Sequence, residues 1–93
     1  INSNCSGKIS GLLFEPIQGI RGINTFVDGY IPMITDLVRS HGGLIIADEV
    51  QTGFARVGTK YWGHKYYNFK PDIVTMAKGI ANGLPLAAVV TRK

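Results

Sequence analysis

The sequence is poor in the features that mark disulfide-rich, membrane-spanning or secreted proteins. Its one cysteine, Cys5, cannot form an internal disulfide, which is compatible with a reducing compartment. No apolar run approaches the roughly 18 residues that a membrane-spanning helix needs, and no signal peptide is recognisable. We therefore expect a globular chain without a membrane partner.

The sequence also lacks a concentrated patch of charge. Ten lysine and arginine residues and six acidic residues give a net charge of +4, but the cations are scattered and form no long run. Aromatic residues are interleaved with Lys60, Lys65 and Lys70, an arrangement that could form a platform for single-stranded nucleic acid. The same aromatic residues can serve for packing, so we expect no nucleic-acid partner.

The composition, with 45% hydrophobic and 17% charged residues, is that of a globular protein. The sequence begins at Ile1 without a methionine and ends at Lys93 shortly after an apolar run. Parallel strands need neighbours on both sides, and a chain of this length buries only about 60–65% of its unfolded surface. We therefore expect residues 1–93 to be an internal part of a larger domain.

The first half of the sequence has the pattern of a strand, a helix and a second strand. Residues 9–14 and 44–48 form short apolar runs, and the second run is typical of a strand covered on both faces because no polar residue interrupts it before its end. Between them, residues 29–41 repeat apolar side chains at helical spacing, and Gly42 and Gly43 end the pattern. This order predicts a right-handed βαβ crossover, in which both strands end at the same edge.

The second half predicts two further strands. Residues 52–70 are rich in glycine and aromatic side chains, which indicates a long functional loop with one short helix. Residues 73–76 form a strand, residues 82–85 form a turn, and residues 86–90 form a last buried strand. The whole pattern predicts an α/β fold.

Two chemically active side chains, Asp48 and Lys78, follow predicted strands at the edge where open α/β sheets bind ligands. A lysine held there among apolar neighbours loses hydration, which favours the neutral amine that can form a Schiff base with an aldehyde. The carboxylate of Asp48 needs a cation opposite it, and the protonated nitrogen of a pyridine ring is such a cation. The pair predicts a pyridoxal phosphate site, and Glu15 ends the first strand at the same edge.

A glycine-rich segment, residues 19–24, has an alternative interpretation as a phosphate cradle. It has neither the G-x-G start nor the G-K end of the nucleotide-binding patterns. Glycine is common in plain turns, so we predict a turn.

Three sequence motifs occur in a fixed order: EPIQG at 15–19, IADEVQTGF at 46–54 and PDIVTMAKG at 71–79. Together they resemble the class III aminotransferases. The resemblance implies part of the large, mostly parallel-sheet pyridoxal phosphate domain of the aspartate aminotransferase type, known as fold type I. Residues 1–93 would then lack the N-terminal strands and the small C-terminal domain of that family.

The resemblance also implies a role for each matching residue. Lys78 would bind the cofactor covalently and move a proton at the substrate carbon. Asp48 would keep the pyridine nitrogen protonated, Val50 would pack against one face of the ring, and Gln51 would donate a hydrogen bond to its 3′ oxygen. Glu15 would lie near this cluster, and no metal site is expected.

Within the family, the sequence is most similar to the mitochondrial alanine:glyoxylate branch. Ile20 follows EPIQG, where ornithine and 4-aminobutyrate aminotransferases typically have glutamate. The branch implies alanine or a β-amino acid as amino donor, a 2-oxo acid such as glyoxylate or pyruvate as acceptor, a mitochondrial location, and a homodimer or homotetramer. Ala55 stands where the family usually has the second glycine of GFGR, so we expect a slightly shifted loop.

Two alternatives stay open on the sequence. Another class III enzyme, either an omega-amino acid aminotransferase or a phospho-lyase that expels phosphate, would carry the same motifs. A catalytically silent chain that acts as a binding module would also keep them.

Overall fold

A computed structural model describes residues 7–93, so Cys5 lies outside the described residues. Its regular elements occur in the order β1 (Gly11–Phe14), α1 (Tyr30–Ser40), β2 (Leu44–Asp48), α2 (Gly63–Tyr66), β3 (Ile73–Met76) and β4 (Ala88–Thr91). The four strands form one sheet in the order β1-β2-β3-β4. The first strand begins two residues later than the sequence predicts.

The first three strands are parallel, and their register brings their carboxyl ends to one edge. Phe14 lies opposite Ala47, and Asp48 lies opposite Thr75. The strand–helix–strand unit that the sequence predicts is therefore present, with β1 and β2 side by side. The residues that follow β1, β2 and β3 meet at the edge where such sheets bind ligands.

Helix α1 ends where the two glycines predict its end. Gly42 has a φ of 80°, in the left-handed region that glycine adopts without steric cost. Its N–H donates to the carbonyl of Arg39 at 2.9 Å, and the Gly43 N–H donates to the carbonyl of Val38 at 3.0 Å. This pair of bonds is a Schellman motif, which satisfies the last carbonyls of the helix and turns the chain directly into β2.

The core lies between α1 and one face of the sheet. Its buried members are Ile31, Val38, Ile45, Ala47 and Phe69. The prediction that β2 is covered on both faces is wrong for the described residues: alternate side chains are buried, whereas Leu44 is exposed and Ile46 is half-buried. The reason is that α1 packs on one face of the sheet, and within residues 7–93 no second helix of similar length packs on the other.

The last strand differs from its prediction in position and, within residues 7–93, in burial. It spans Ala88–Thr91 and not residues 86–90, and it runs antiparallel to β3. Val89 and Val90 are 68% and 55% exposed, so the strand is not buried. Within residues 7–93 it pairs on one side only, with β3, and an apolar sequence alone does not distinguish such a strand from a central one.

The loops agree with the sequence patterns. The segment between Thr52 and Lys70 is irregular except for α2. The glycine-rich segment is a turn, closed by a backbone pair between Gln18 and Asn24 at 2.9 and 3.0 Å. In the part of the chain that the structure describes, no helix combines the length and the apolar character needed to cross a membrane.

The loop after β2 contains a backbone conformation that makes the departure from GFGR costly. Ala55 has a φ of 62°, in the left-handed region where a Cβ atom costs about 1–2 kcal/mol. We expect Ala55→Gly to stabilise the protein by about 0.5–1 kcal/mol, because relief of this strain exceeds the entropy that glycine adds to the unfolded chain. Thermal unfolding of the protein expressed from its full reading frame measures the effect.

The matched control is Ala87→Gly, at an exposed residue outside the strands and without a positive φ. That change should lower the midpoint slightly, because it only adds freedom to the unfolded chain. If Ala55→Gly lowered the midpoint as much as the control, the left-handed conformation of Ala55 would be contradicted.

Candidate active site

The site begins with Asp48, the last residue of β2. Its Oδ1 accepts a hydrogen bond from the Val50 N–H at 3.0 Å, which fixes the half-buried carboxylate at the strand end. The next N–H, that of Glu49, donates to the carbonyl of Thr75 at 2.9 Å. The β2 and β3 backbones are therefore hydrogen-bonded one residue beyond Asp48. This bond fixes the position of one strand end relative to the other.

Lys78 follows β3 after one intervening residue and begins a 3₁₀ turn, Lys78–Ile80. Its φ of 48° lies in the left-handed region, a conformation that costs energy for a residue other than glycine and is concentrated at functional sites. Its carbonyl accepts hydrogen bonds from the N–H groups of Ala81 and Asn82 at 3.3 and 3.1 Å. The side chain is exposed, so residues 7–93 alone do not give it the apolar, dehydrated surroundings that the sequence predicts.

Three of the predicted site residues share a cavity of about 220 Å³. Val50, Gln51 and Lys78 contribute to its wall, which brings the loop after β2 against the turn after β3. The full lining consists of Val50, Gln51, Gly53, Phe54, Arg56, Lys78, Gly79 and Asn82. Asp48 is not part of this wall but is joined to it through its hydrogen bond with Val50.

Glu15 lies beside the cavity and does not line it. Its Oε2 accepts a hydrogen bond from the Gly19 N–H at 3.0 Å. A Cβ atom at Gly19 would lie 3.0 Å from Nε2 of Gln51 and 3.4 Å from Oε2 of Glu15, so both side chains approach Gly19. The carboxylate therefore holds the EPIQG turn against the Gln51 side chain.

A second, apolar cavity of about 420 Å³ adjoins the first, and the two share Gln51 and Arg56. Three isoleucines form much of its wall: Ile17 of the EPIQG motif, and Ile20 and Ile23 of the glycine-rich turn that follows it. Arg56 is thus a cation beside Lys78 that the sequence analysis did not identify. An exposed arginine in an irregular loop gives no periodic signal by which it could have been identified.

A buried carboxylate that the sequence patterns do not predict, that of Glu49, follows Asp48 directly. Glu49 is fully buried and accepts four hydrogen bonds, from the Thr52 hydroxyl, the Gly63 N–H, the His64 N–H and Nδ1 of His64, at 2.5, 2.9, 2.7 and 2.8 Å. Burial alone raises the pKa of Glu49, but these bonds, led by that from His64, outweigh burial and hold the pKa below its ordinary value of 4.5. We call Glu49, Thr52, Gly63 and His64 the Glu49 cluster.

A second buried carboxylate, Asp72, lies at the opposite end of β3. It accepts a hydrogen bond from the Ile45 N–H at 2.9 Å and forms ion pairs with Arg39 and Arg92. Burial raises the pKa of Asp72, whereas the Ile45 N–H and the two arginines lower it, with the result below the ordinary value of 3.8. This carboxylate fastens the amino ends of β2 and β3, far from Lys78.

One tryptophan connects the Glu49 cluster with the cavity. The ring of Trp62 contacts that of Phe54, a lining residue, at a centroid distance of 5.0 Å. The Trp62 ring also stacks on the ring of His64, at a centroid distance of 6.3 Å. The loop between β2 and α2 is therefore packed at its base, although much of its tip is exposed.

The fold and the residues at the strand ends are those expected of a class III aminotransferase, and comparison with known proteins agrees with this class. The family model described as "Aminotransferase class-III" matches residues 1–93, so the chain belongs to the class III aminotransferase family. The predicted resemblance is confirmed. No metal-binding group of three or more histidine, cysteine, aspartate or glutamate side chains occurs among residues 7–93.

Individual relatives are similar over almost the whole chain. Human mitochondrial alanine–glyoxylate aminotransferase 2 is 48% identical over 91 residues, which are 98% of this chain and 18% of that protein. Ethanolamine-phosphate phospho-lyase homolog 1 of Caenorhabditis elegans is 58% identical over 87 residues, 91% of this chain and 19% of the relative. The chain thus spans about a fifth of the length of the curated relatives it matches.

A solved structure supports the same fold. The (S)-enantioselective omega-transaminase of Thermomicrobium roseum matches with a TM-score of 0.83 and 45% identity, over 87% of this chain and 18% of that enzyme. The predicted fold class, part of a mostly parallel α/β sheet of the fold type I transaminases, is confirmed.

The residues at the strand ends fit pyridoxal phosphate, the cofactor that the family implies. The amine of Lys78, which can react with an aldehyde, the amide of Gln51 and the apolar side chain of Val50 meet at one cavity, and the Asp48 carboxylate is hydrogen-bonded to Val50. Within residues 7–93, one oxygen of Asp48 accepts from Val50 and no donor reaches the other. That oxygen remains available for a protonated ring nitrogen.

Proposed function

We propose that the protein containing this chain is a pyridoxal phosphate-dependent transaminase, with Lys78 as its catalytic residue. The observation that carries the proposal is the meeting of Lys78, Gln51 and Val50 at one cavity, with the Asp48 carboxylate hydrogen-bonded to Val50 of its wall. The amino donor would be alanine or a β-amino acid, and the acceptor a 2-oxo acid such as glyoxylate or pyruvate. The name of the human relative supports this substrate class.

Each residue would have one task at the cavity. The Lys78 amine would bind the cofactor aldehyde and, once released, carry a proton to or from the substrate carbon. Asp48 would hold the ring nitrogen protonated, Val50 would support a ring face, Gln51 would donate to the 3′ oxygen, and Glu15 would keep Gln51 in place. When bound, the cofactor supplies the electron sink for the reaction.

The setting of the chain is part of the same proposal. Residues 1–93 would form part of the large cofactor domain, because they match about a fifth of the length of the relatives. A homodimer or homotetramer is expected for such enzymes. A mitochondrial location is supported by the names of several relatives, the human enzyme among them.

Absorbance spectroscopy of the protein expressed from its full reading frame tests the proposal. Pyridoxal phosphate should produce the visible band of a lysine-bound cofactor, and alanine should convert that band to the pyridoxamine form. A band that does not respond to alanine would redirect the search to other donors. Absence of any band would contradict the proposal and favour a binding module without catalysis.

A phospho-lyase is the second candidate, because the phospho-lyase homolog of Caenorhabditis elegans is 58% identical to this chain. The same lysine and carboxylate would serve, but the substrate would lose phosphate and would not pass on its nitrogen. Incubation with phosphoethanolamine and assay of free phosphate separates the two. Release of phosphate without formation of an amino acid product would favour the lyase.

A further inference from the structure

The loop between β2 and α2 forms much of the cavity wall, but the tip of the loop makes few buried contacts. It supplies Val50, Gln51 and Phe54 to the lining, whereas residues 55–61 are mostly exposed. A loop of this kind holds a ligand in a fixed position only if its two ends are fastened.

Glu49 fastens both ends at once. At the near end of the loop, Oε2 of Glu49 accepts a hydrogen bond from the Thr52 hydroxyl. At the far end, its two oxygens accept hydrogen bonds from the N–H groups of Gly63 and His64, which lie eleven and more residues further along the chain. The four bonds are divided evenly, since each oxygen accepts one backbone N–H and one side-chain donor. Every acceptor position of the buried carboxylate is therefore used.

The backbone around the Glu49 cluster is packed without spare room. The Glu49 carbonyl accepts the Gly53 N–H at 2.9 Å, and a Cβ atom at Gly53 would lie 2.8 Å from that carbonyl and from the Trp62 ring. The loop base thus has one tight arrangement. A change in the Glu49 carboxylate would be transmitted to Val50, its neighbour in the chain, and through Val50 to Asp48.

We propose that Glu49 is a positioning residue for the cofactor, which sets the places of Val50, Gln51 and the Asp48 carboxylate by closing the loop after β2. The role rests on the proposed function, because the residues it positions are those assigned to pyridoxal phosphate. Glu49 itself is fully buried and does not line the Lys78 cavity.

Glu49→Gln changes the bonding and little else, because the two side chains have nearly the same shape. The Thr52 hydroxyl and Nδ1 of His64 can each turn into an acceptor for the new NH₂ group. The backbone N–H groups of Gly63 and His64 cannot, so whichever oxygen is replaced, one buried N–H loses its acceptor. The loop must open at its far end to hydrate that group.

The test compares Glu49→Gln with the unaltered protein, both expressed from the full reading frame. We expect the dissociation constant of pyridoxal phosphate to rise by about tenfold, and hydrogen exchange of the 50–62 segment to accelerate. Asp72→Asn is the matched control, because it weakens a buried carboxylate at the other end of β3. It should lower the thermal midpoint but change the dissociation constant less than twofold.

A milder variant, Thr52→Val, removes one of the four donors to Glu49. It should fold, so it tests the role even if Glu49→Gln does not fold. It should raise the dissociation constant about threefold, in the same direction. The positioning role is overturned if loop exchange accelerates while the dissociation constant stays unchanged, or if Asp72→Asn weakens cofactor binding equally. Failure of the unaltered protein to bind pyridoxal phosphate would instead remove the proposed function, and this role with it.

Discussion

Replacing Lys78 with alanine will abolish covalent attachment of pyridoxal phosphate and lower kcat for amino transfer by at least about 1,000-fold. The substitution removes both the amine that binds the aldehyde and the group that carries the proton. Stability should change little, because the side chain is exposed and alanine meets the same left-handed backbone at a φ of 48°. The visible absorbance band and steady-state rates measure the two losses.

Lys65→Ala is the matched control for this prediction. Lys65 is also an exposed lysine, lies on α2 and does not line the cavity, so the variant should keep the band and the rate. Borohydride reduction of the loaded protein, followed by peptide mapping, then locates the modified lysine directly. Modification of a different lysine, or full activity of Lys78→Ala, would remove Lys78 from its assigned role.

Among the glycine and alanine variants considered, Gly63→Ala should have the largest effect on stability. We expect the free energy of unfolding to fall by about 2–3 kcal/mol. Gly63 is buried, and a Cβ atom there would lie 2.8 Å from Cβ of Pro16 and 2.8 Å from both Cβ and Oγ1 of Thr52. None of these atoms is the end of a flexible side chain. The chain must therefore move, and the Gly63 N–H that donates to Glu49 moves with it.

Denaturant unfolding of the protein expressed from its full reading frame checks this expectation. Gly19→Ala provides the comparison, since a Cβ atom there would meet the flexible amide end of Gln51 at 3.0 Å, and the loss should stay below about 1 kcal/mol. Equal midpoints for the two variants would mean that the packing between Pro16, Thr52 and Gly63 is looser than described.

Most of the fold could be predicted from short sequence patterns, because interactions between residues close in the sequence determine most of its helix and strand boundaries. The helical spacing of apolar side chains and the paired glycines at 42 and 43 determine where α1 ends, through hydrogen bonds within a few residues. The predicted burial of β4 is not met within residues 7–93, because burial depends on what packs beside a strand. The four apolar residues before Thr91 look the same in a central strand and at an edge.

Some residues of the candidate site could likewise be predicted from short sequence patterns, and others could not. Asp48 and Lys78 were predicted because each directly follows an apolar run, and Val50 and Gln51 because they belong to a recognisable motif. The Glu49 cluster was missed because Glu49 and His64 are 15 residues apart in an irregular loop, where no period connects them. The left-handed backbone of Lys78 was missed as well, since nothing in the flanking residues requires it.

The placement of Trp62 gives this chain an optical readout of its own. The tryptophan of residues 1–93 contacts the ring of Phe54, at the cavity wall, and that of His64, in the Glu49 cluster. Because indole emission responds to the polarity and mobility of its surroundings, opening of the loop shifts the emission of Trp62. The order of the loop can therefore be followed in solution without an attached dye and without turnover.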